Sequence, residues 1–338
     1  MESNINIAQT KYFGKLVLLI WFTLFFQSIL ASEEYCNRET CPSKDPRLSY
    51  KVNMTDFPLL NVDIETLYTE IVSGSGYVII PSAFSSADIS HAREVILYLL
   101  SKQGDKASHF QGHKDAKANL QARVWNLLNK GRIWEKMVQH PIVVKLGTKI
   151  LGDDLQLGSI ATNTIFPGGS GQEPHVDYPY WDYYNKDHWP ATPKVKGVHF
   201  FMNMQATVLL DDFTVENGAT AVRPRTQYEA SYPISEDFFQ NYVQTTGKAG
   251  DLIVFVGLLH HCAMPNKSKN SRTGVLLQYL PKYVRPMEDL KRGVKKSVQA
   301  RASPVLRKLL LLDYPYPSLL DEAEAVNSEG AESEFDWK

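Results

Sequence analysis

The sequence has no long run of charge of one sign. Its 36 basic side chains are balanced by 37 acidic ones, which leaves a formal net charge of −1 over 338 residues. Because binding to nucleic acid phosphates requires a clustered positive surface, this mixture excludes nucleic acid as an expected partner. The sequence also has no internal repeat, and its length suits one large domain or two smaller ones.

Cysteine is scarce, with three residues in the chain. Cys36 and Cys41 could close a small loop in an oxidising compartment, which leaves Cys262 without a partner. The motif Asn53-Met54-Thr55 is an acceptor for N-linked glycosylation if this segment is lumenal. An unmodified polar segment explains the same residues equally well, so neither modification follows from the sequence alone.

Long apolar runs are also few, and one near the N-terminus approaches the length of a membrane span. Lys11 and Lys15 precede an apolar stretch of 16 residues from Leu16 to Ala31, whereas a membrane-spanning helix needs about 20. This layout predicts a signal peptide at 1–31, with an uncleaved signal anchor that attaches the chain to a membrane through residues 16–31 as the alternative. Both predict the secretory pathway, with the body lumenal or extracellular as a secreted or single-pass type II membrane protein.

The rest of the chain divides by composition into three parts. Residues 32–59 are polar and interrupted by proline, which predicts a linker. The folded body is expected at 60–320, followed by an acidic, flexible tail at 321–338. Apolar spacing predicts helices, with Ser85 or Ser86 capping the second and Ser303-Pro304 opening the last. The predicted helices cover 64–72, the stretch containing Ile89 to Leu100, 138–151 and 305–312.

Short apolar runs separated by turn residues fill the middle of the chain. Many contain β-branched or aromatic residues, as is typical of strands. They cover 76–80, 159–166, 198–210, 219–222, 252–259 and 273–279. Strands at such spacing predict an antiparallel sandwich or barrel, so we expect a mostly β core with flanking α-helices on its N- and C-terminal sides.

A His-x-Asp motif lies between two of these runs. In an extended strand residues i and i+2 point to the same face, so His175 and Asp177 can bind one metal ion together. Two histidines and one carboxylate form the facial triad of non-haem Fe(II) oxygenases, which leaves other coordination positions open. A surface histidine is the alternative, because such short motifs recur by chance. The aromatic residues at 178–184 suit a binding cleft or an ordinary core.

A second histidine pair follows the strand predicted at 252–259. Adjacent strand residues face opposite sides, so at most one of His260 and His261 can point into a barrel. Arg272 opens the next predicted strand, near enough in a hairpin to reach the same interior. A buried arginine needs an anion, and its planar guanidinium suits a carboxylate. An iron site beside such an arginine predicts a keto-acid cosubstrate.

Together these motifs resemble the phytanoyl-CoA dioxygenase family of Fe(II)- and 2-oxoglutarate-dependent oxygenases. The resemblance extends over roughly residues 57–283. The matching segments are 76–80 with the following helix, His175-Val176-Asp177, 211–220, Gly250-Asp251, 261–268 and Arg272.

The resemblance implies a double-stranded β-helix, a cupin-like jelly roll. It implies that iron is bound by His175, Asp177 and His261 and that Arg272 binds the distal carboxylate of 2-oxoglutarate. Asn163, Gln172 and Thr220 are weaker candidates for polar groups in the same cleft. His260 and Cys262 are expected to be packing residues.

The expected activity is that of a dioxygenase that uses Fe(II), 2-oxoglutarate and O2 to hydroxylate a small organic or lipid-like substrate, with release of succinate and CO2. We expect a monomer. The alternative from another class is a catalytically silent jelly-roll protein of the secretory pathway that only binds a ligand.

One segment departs from the family pattern. Where such proteins commonly continue with Pro-Gly-Ser-His, this chain has Pro224 followed by Arg225-Thr226-Gln227. In the family this position lies toward the substrate side. The departure therefore favours a prime substrate other than phytanoyl-CoA, and a peroxisomal address is also absent.

Overall fold

The core of the protein is a six-stranded antiparallel sheet. The computed structural model describes residues 45–48, 50–103, 120–177, 194–195, 198–229 and 232–313. Strand order in the large sheet is β1-β9-β6-β11-β3-β2. The strands are β1 (Tyr77–Ile80), β2 (Gln121–Val124), β3 (Leu155–Ile165), β6 (Met204–Leu209), β9 (Leu252–Val256) and β11 (Arg272–Pro281).

A smaller sheet faces this one. It has the order β10-β7-β8, from β7 (Ala221–Val222), β8 (Val243–Gln244) and β10 (His261–Cys262), and a separate pair joins β4 (Lys194–Val195) to β5 (Val198–His199). Val222 of the small sheet packs in one apolar cluster with Ile253 and Phe255 of the large sheet. This cluster joins the two sheets beside the site described below.

Helices flank the sheets: most cover the other face of the large sheet, and one, Ser235–Gln240, packs Phe238 against Ala221 and Cys262 of the small sheet. They are α1 (Ile64–Val72), α2 (Ser86–Gln103), α3 (Arg132–Met137), α4 (Pro141–Leu151), α5 (Ser235–Gln240), α6 (Leu290–Gly293), α7 (Lys296–Ala300) and α8 (Pro304–Leu309). Ser85 accepts a hydrogen bond from the backbone of Asp88, and Ser303 accepts one from that of Leu306, so both predicted serine caps are confirmed. The buried Tyr279 of β11 donates to the backbone oxygen of Val138, which ties sheet to helices.

Several predicted boundaries are wrong. The run 198–210 divides into β5 and β6 because the two strands pair with different sheets, and the turn between them brings the Asn203 carbonyl to the Gly257 amide at 3.1 Å. The strand predicted at 252–259 ends at Val256, where the chain turns and the Leu259 N–H donates to the Val256 oxygen at 2.9 Å. The helix predicted at 138–151 begins at Pro141, where the ring suits the first turn. Neither α3 nor β2 was predicted.

Residues 50–57, which the composition places in the linker, pack against the folded body. Val52 is buried, the Tyr50 ring stacks on His91 at 4.6 Å between centroids, and Phe57 lies edge-on to Phe84. The folded body therefore begins before residue 60. In the described segment the Asn53 side chain accepts hydrogen bonds from Thr55 and is exposed.

The predicted N-terminal signal or anchor segment at 1–31, Cys36, Cys41, the aromatic run at 178–184 and the acidic tail at 321–338 lie outside the described residues. Among the helices that the structure does describe, none is long and apolar enough to cross a membrane.

A buried histidine gives the fold a predicted sensitivity to acid. His140 lies against the rings of Phe57 and Phe84, with Nε2 3.1 Å from the Ala83 oxygen. Burial, together with the nearby charge of Lys136, lowers the pKa of His140 from 6.5 to about 4. The unfolded chain therefore binds a proton more readily than the folded one. The contribution of His140 to the free energy of unfolding is therefore largest above pH 6.5. It falls by about 3 kcal/mol as the pH drops toward 4.

We expect His140→Phe to remove this part of the pH dependence, since phenylalanine keeps the ring packing without a titrating group. Urea unfolding of both proteins at several values from pH 7 to 4 measures it. The same slope of unfolding free energy with pH in wild type and variant would refute the assignment.

Candidate metal centre

The His-x-Asp segment pairs with the end of the small sheet. His175 and His261 form an antiparallel bridge in which each backbone N–H donates to the other's oxygen, at 2.9 and 3.0 Å. The Asp177 N–H donates to the Gly257 oxygen at 2.8 Å. Two segments distant in sequence are thus fixed side by side, and the alternation of side chains brings His175 and Asp177 to one face.

The three side chains converge on one point. Nε2 of His261 is 3.4 Å from one Asp177 oxygen, and Nε2 of His175 is 3.7 Å from the other. One potential ligand atom from each residue lies within 4.8 Å of the other two. Among the described residues this is the one such group of histidine, cysteine and acidic side chains.

Backbone carbonyls orient both imidazoles. His175 Nδ1 is 2.7 Å from the Glu173 oxygen, and His261 Nδ1 is 2.8 Å from the Leu259 oxygen. A carbonyl can only accept, so each Nδ1 carries a proton, and the Nε2 atom that remains faces the centre of the cluster, where its lone pair is available in the neutral ring. This second contact is typical of histidines that bind metals.

Burial and mutual contact set the protonation of the cluster. Burial, together with the facing His261, lowers the pKa of His175 to about 4. Burial alone would raise the pKa of Asp177 and lower that of His261. Their mutual contact outweighs burial, so the pKa of Asp177 is lowered and that of His261 is raised. The carboxylate is therefore ionised and held between two rings, as a cation site requires.

The adjacent His260 does not join the cluster. Its backbone N–H donates to the Thr226 hydroxyl at 2.9 Å, and its Nδ1 lies 3.9 Å from a Glu229 oxygen. The expectation that one of the two histidines faces the interior is met by His261. Cys262 is buried beside it, and burial raises the pKa of its thiol to about 12, which suits a packing residue.

Arg272 is held beside this cluster with little compensation for its charge. It is 2 % exposed at the start of β11, and one terminal nitrogen donates to the Gly218 oxygen. Its guanidinium carbon lies 4.3 Å from the centre of the Phe213 ring. Nε has no hydrogen-bond partner and no carboxylate forms an ion pair with it among the described residues. Burial lowers the pKa of Arg272 to about 10, against the opposing charge of Asp211.

All the site residues predicted from the sequence line one cavity. It has a volume of about 100 Å³ and contains the three cluster residues and Arg272. Asn163, Gln172 and Thr220 also line it. Gln172 accepts from the Ala263 backbone at 3.3 Å, whereas Asn163 Oδ1 is buried without a partner among the described residues.

The cavity also contains polar residues that sequence reasoning missed. They are Arg123 of β2, Ser159 of β3, Gln205 of β6 and Gln278 of β11. A polar residue inside an apolar strand run was the available signal for Gln205 and Gln278. Nothing signalled Arg123, because β2 was not predicted as a strand.

The segment that departs from the family pattern lies elsewhere. Gln227 is buried and donates to the Gly74 oxygen at 3.2 Å, and Thr226 bonds the backbone of His260. Arg225 adopts a left-handed backbone at φ 69°. The expectation that these residues lie on the substrate side is not met, since the cavity walls that the structure describes contain none of them. They instead bind the loop that precedes β1, through Gly74, and the backbone of His260.

Comparison with known families agrees with this geometry. The family model described as phytanoyl-CoA dioxygenase (PhyH) matches residues 73–274, more than half of the chain. The chain belongs to this family. The matched span includes His175, Asp177, His261 and Arg272.

Individual relatives of this phytanoyl-CoA dioxygenase family member are distant. Dioxygenase af480 of Aspergillus fumigatus is 24% identical over 249 residues, which cover 71% of this chain and 74% of the relative. The chain spans about half the length of further fungal relatives named dioxygenases.

Two solved structures share the fold. The α-ketoglutarate-dependent carbocyclase SnoK from nogalamycin biosynthesis has a TM-score of 0.51 at 20% identity, covering 72% of this chain and 92% of SnoK. The epimerase SnoN, in complex with Fe3+, α-ketoglutarate and nogalamycin RO, has a TM-score of 0.51 at 16% identity, covering 66% and 86%. At these identities the likeness shows the fold alone.

Proposed function

We propose that this protein is an Fe(II)- and 2-oxoglutarate-dependent dioxygenase that hydroxylates a small organic or lipid-like substrate. The observation that carries the proposal is the convergence of His175, Asp177 and His261 beside the buried Arg272 in one cavity. Membership of the phytanoyl-CoA dioxygenase family supports it. The roles of His175, Asp177, His261 and Arg272 in this activity are proposed from their geometry.

The donor set fits a divalent iron ion. Two neutral imidazoles and an ionised carboxylate offer the ligands of a facial triad. Their contacts with the Glu173 and Leu259 carbonyls hold both Nε2 atoms toward the same point, so little reorganisation is needed on binding. A silent binding protein has no need of this arrangement, which is why we do not favour that alternative.

The surroundings of Arg272 fit the distal carboxylate of 2-oxoglutarate. A buried guanidinium with an unpartnered Nε is costly unless an anion completes it. Its planar edge binds a carboxylate through paired hydrogen bonds. When bound, iron and 2-oxoglutarate together supply the means to activate O2 for oxidation of a C–H bond, with release of succinate and CO2. The protein positions the cosubstrate through Arg272 and leaves the rest of the cavity to the substrate.

We further propose that the two facing sheets form a double-stranded β-helix and that the catalytic unit ends near residue 320. Residues 1–31 support a secretory route, either as a cleaved signal or as an anchor.

The function is tested by incubating the purified chain with Fe(II), 2-oxoglutarate and O2 and measuring succinate. We expect slow succinate formation even without the prime substrate, and none when iron, O2 or 2-oxoglutarate is omitted. Bound metal without any succinate under these conditions would favour the silent ligand-binding protein.

The Phe213 ring is expected to contribute to cosubstrate binding, because it holds the guanidinium of Arg272. The ring lies over Gly274, where a Cβ atom would approach it to 3.1 Å. Phe213→Leu removes the cation–π contact, worth about 1 kcal/mol, and should raise the KM for 2-oxoglutarate about fivefold with little change in kcat.

Phe238→Leu is the matched control, since Phe238 is equally buried but packs in a different cluster around the small sheet. Both variants should lose similar stability, and only Phe213→Leu should change the KM. An unchanged KM in Phe213→Leu would show that the ring does not position Arg272.

A further inference from the structure

The inner face of the large sheet is polar at two separate levels. Arg272 begins β11 and Gln278 lies six residues further along it, which separates their Cα atoms by about 20 Å at the rise of a β-strand. Both side chains line the same cavity. A short dicarboxylate bound to Arg272 and the metal would therefore not reach Gln278. That end of the cavity is left for another molecule, or another part of one.

Gln278 is the centre of a polar row across three strands. Its register partners are Gln205 on β6 and Ser159 on β3, and all three line the cavity. Beyond Gln205 the row continues with Phe255 on β9, whose ring packs against His261 with centroids 4.9 Å apart. One aromatic side chain thus separates the glutamines from the proposed metal ligands.

The two amides make no hydrogen bond to the part of the chain that the structure describes. Gln278 is 3 % exposed and Gln205 8 %, and Gln278 Oε1 is enclosed without a donor. A buried amide left unpaired costs about 1–3 kcal/mol, so native proteins pair such groups. Gln156 on β3 is paired in this way, because it donates to the oxygens of Pro281 and Val284 at 2.9 and 2.8 Å.

The charges near this row favour a neutral ligand. The Ser159 hydroxyl donates to the Glu288 carboxylate at 2.8 Å, so a negative charge lies next to the row. The arginines of the cavity wall lie toward the other end: Arg123 pairs with Asn163, whose partner on β11 is only two residues from Arg272. An anionic group at the glutamines would meet Glu288, whose charge the nearby Lys130 already offsets in part, while the arginines of the cavity wall lie toward the other end.

We propose that Gln205 and Gln278 recognise a neutral polar group of the prime substrate, such as a hydroxyl or an amide. Such a group both donates and accepts, so it matches a glutamine amide in either orientation. The apolar body of the substrate then lies against Ala161, Leu276 and Met287, which line the space beside the row. This inference rests on the proposed function, because it assigns the Arg272 end to the cosubstrate.

The first experiment compares the stability of two glutamine variants of the whole chain. Gln278→Met removes an unpaired buried amide, so its melting temperature should equal or exceed that of the wild type. Gln156→Met removes the amide donor from the Pro281 and Val284 oxygens, so it should melt several degrees lower. A loss in Gln278→Met as large as that in Gln156→Met would show a structural amide and overturn the proposal.

The second experiment measures binding of simple probes to the chain loaded with Zn(II) and 2-oxoglutarate, which prevents turnover. Cyclohexanol supplies a hydroxyl on an apolar ring, and cyclohexanecarboxylate is its anionic counterpart. By ligand-observed NMR, cyclohexanol should bind at least tenfold more tightly than the carboxylate. The double variant Gln205→Met/Gln278→Met should lose that binding about tenfold, whereas Gln156→Met should keep it.

Equal binding of cyclohexanol to the double variant, or tighter binding of the carboxylate, would overturn the recognition site. Neither experiment depends on catalysis. Failure of the proposed function appears separately, as an absence of succinate from the iron-loaded wild type.

Discussion

Replacing His261 with leucine is expected to lower Fe(II) affinity more than about a hundredfold and to abolish succinate formation. Loss of a group that only orients a metal ligand costs about 10–100-fold in affinity, and loss of a ligand costs at least as much. His261 also faces Asp177 at 3.4 Å, so the change leaves the carboxylate without its partner. Anaerobic titration with Fe(II), followed by calorimetry, measures the affinity.

The neighbouring histidine provides the matched control. His260→Leu removes an equally buried imidazole from the next position in the chain, on the side away from the cavity. We expect Fe(II) affinity and succinate formation close to wild type in this variant. If the two substitutions weaken iron binding equally, the assignment of His261 as a ligand is wrong.

Arg272→Met is expected to raise the KM for 2-oxoglutarate about a hundredfold, because removing one partner of a buried charge pair costs about 3 kcal/mol. The KM of Arg272→Lys should lie between those of the wild type and Arg272→Met, since lysine keeps the charge but not the planar pair of donors. Steady-state assays at saturating iron measure both. Arg292→Met, at an exposed arginine, should leave the KM unchanged.

Stability gives an independent check on Arg272. Without a bound anion the buried guanidinium is a cost to the fold, so Arg272→Met should be at least as stable as the wild type. Added 2-oxoglutarate should raise the melting temperature of the metal-loaded wild type and have no effect on the variant. Equal stabilisation of both proteins by 2-oxoglutarate would place its carboxylate elsewhere.

The convergence of His175, Asp177 and His261 could be predicted from the sequence because it depends largely on local spacing. A histidine and an aspartate two residues apart must share a face of an extended segment, and only one of two adjacent histidines can join them. Arg272 was predictable for a related reason, since an arginine that opens a buried strand needs an anion. The family resemblance selected His261 over His260, and the structure places His261 in the cluster.

The substrate end of the cavity was not predictable in the same way. It depends on the register of β3, β6 and β11, which sets Gln205 opposite Gln278 and Ser159. These strands carry polar residues among apolar ones but are buried on both faces, so the pattern does not distinguish a cavity wall from a face exposed to solvent. Neighbouring strands far apart in sequence leave no local signal of their register.

Boundaries failed where tertiary contacts override local preference. The run 198–210 has strand propensity throughout, yet β5 and β6 separate because they pair with different sheets. The composition of residues 50–57 is that of a linker, but Val52 is buried in the core and Phe57 packs against it. Packing partners distant in the chain decide both cases.

The most direct test of the account is the fate of labelled oxygen. The whole chain, supplied with Fe(II) and 2-oxoglutarate under ¹⁸O2, should form succinate that carries one labelled oxygen atom, and Asp177→Ala should form none. Succinate without label, or equal formation by the Asp177 variant, would contradict the proposal that His175, Asp177 and His261 form the iron site of a 2-oxoglutarate-dependent dioxygenase.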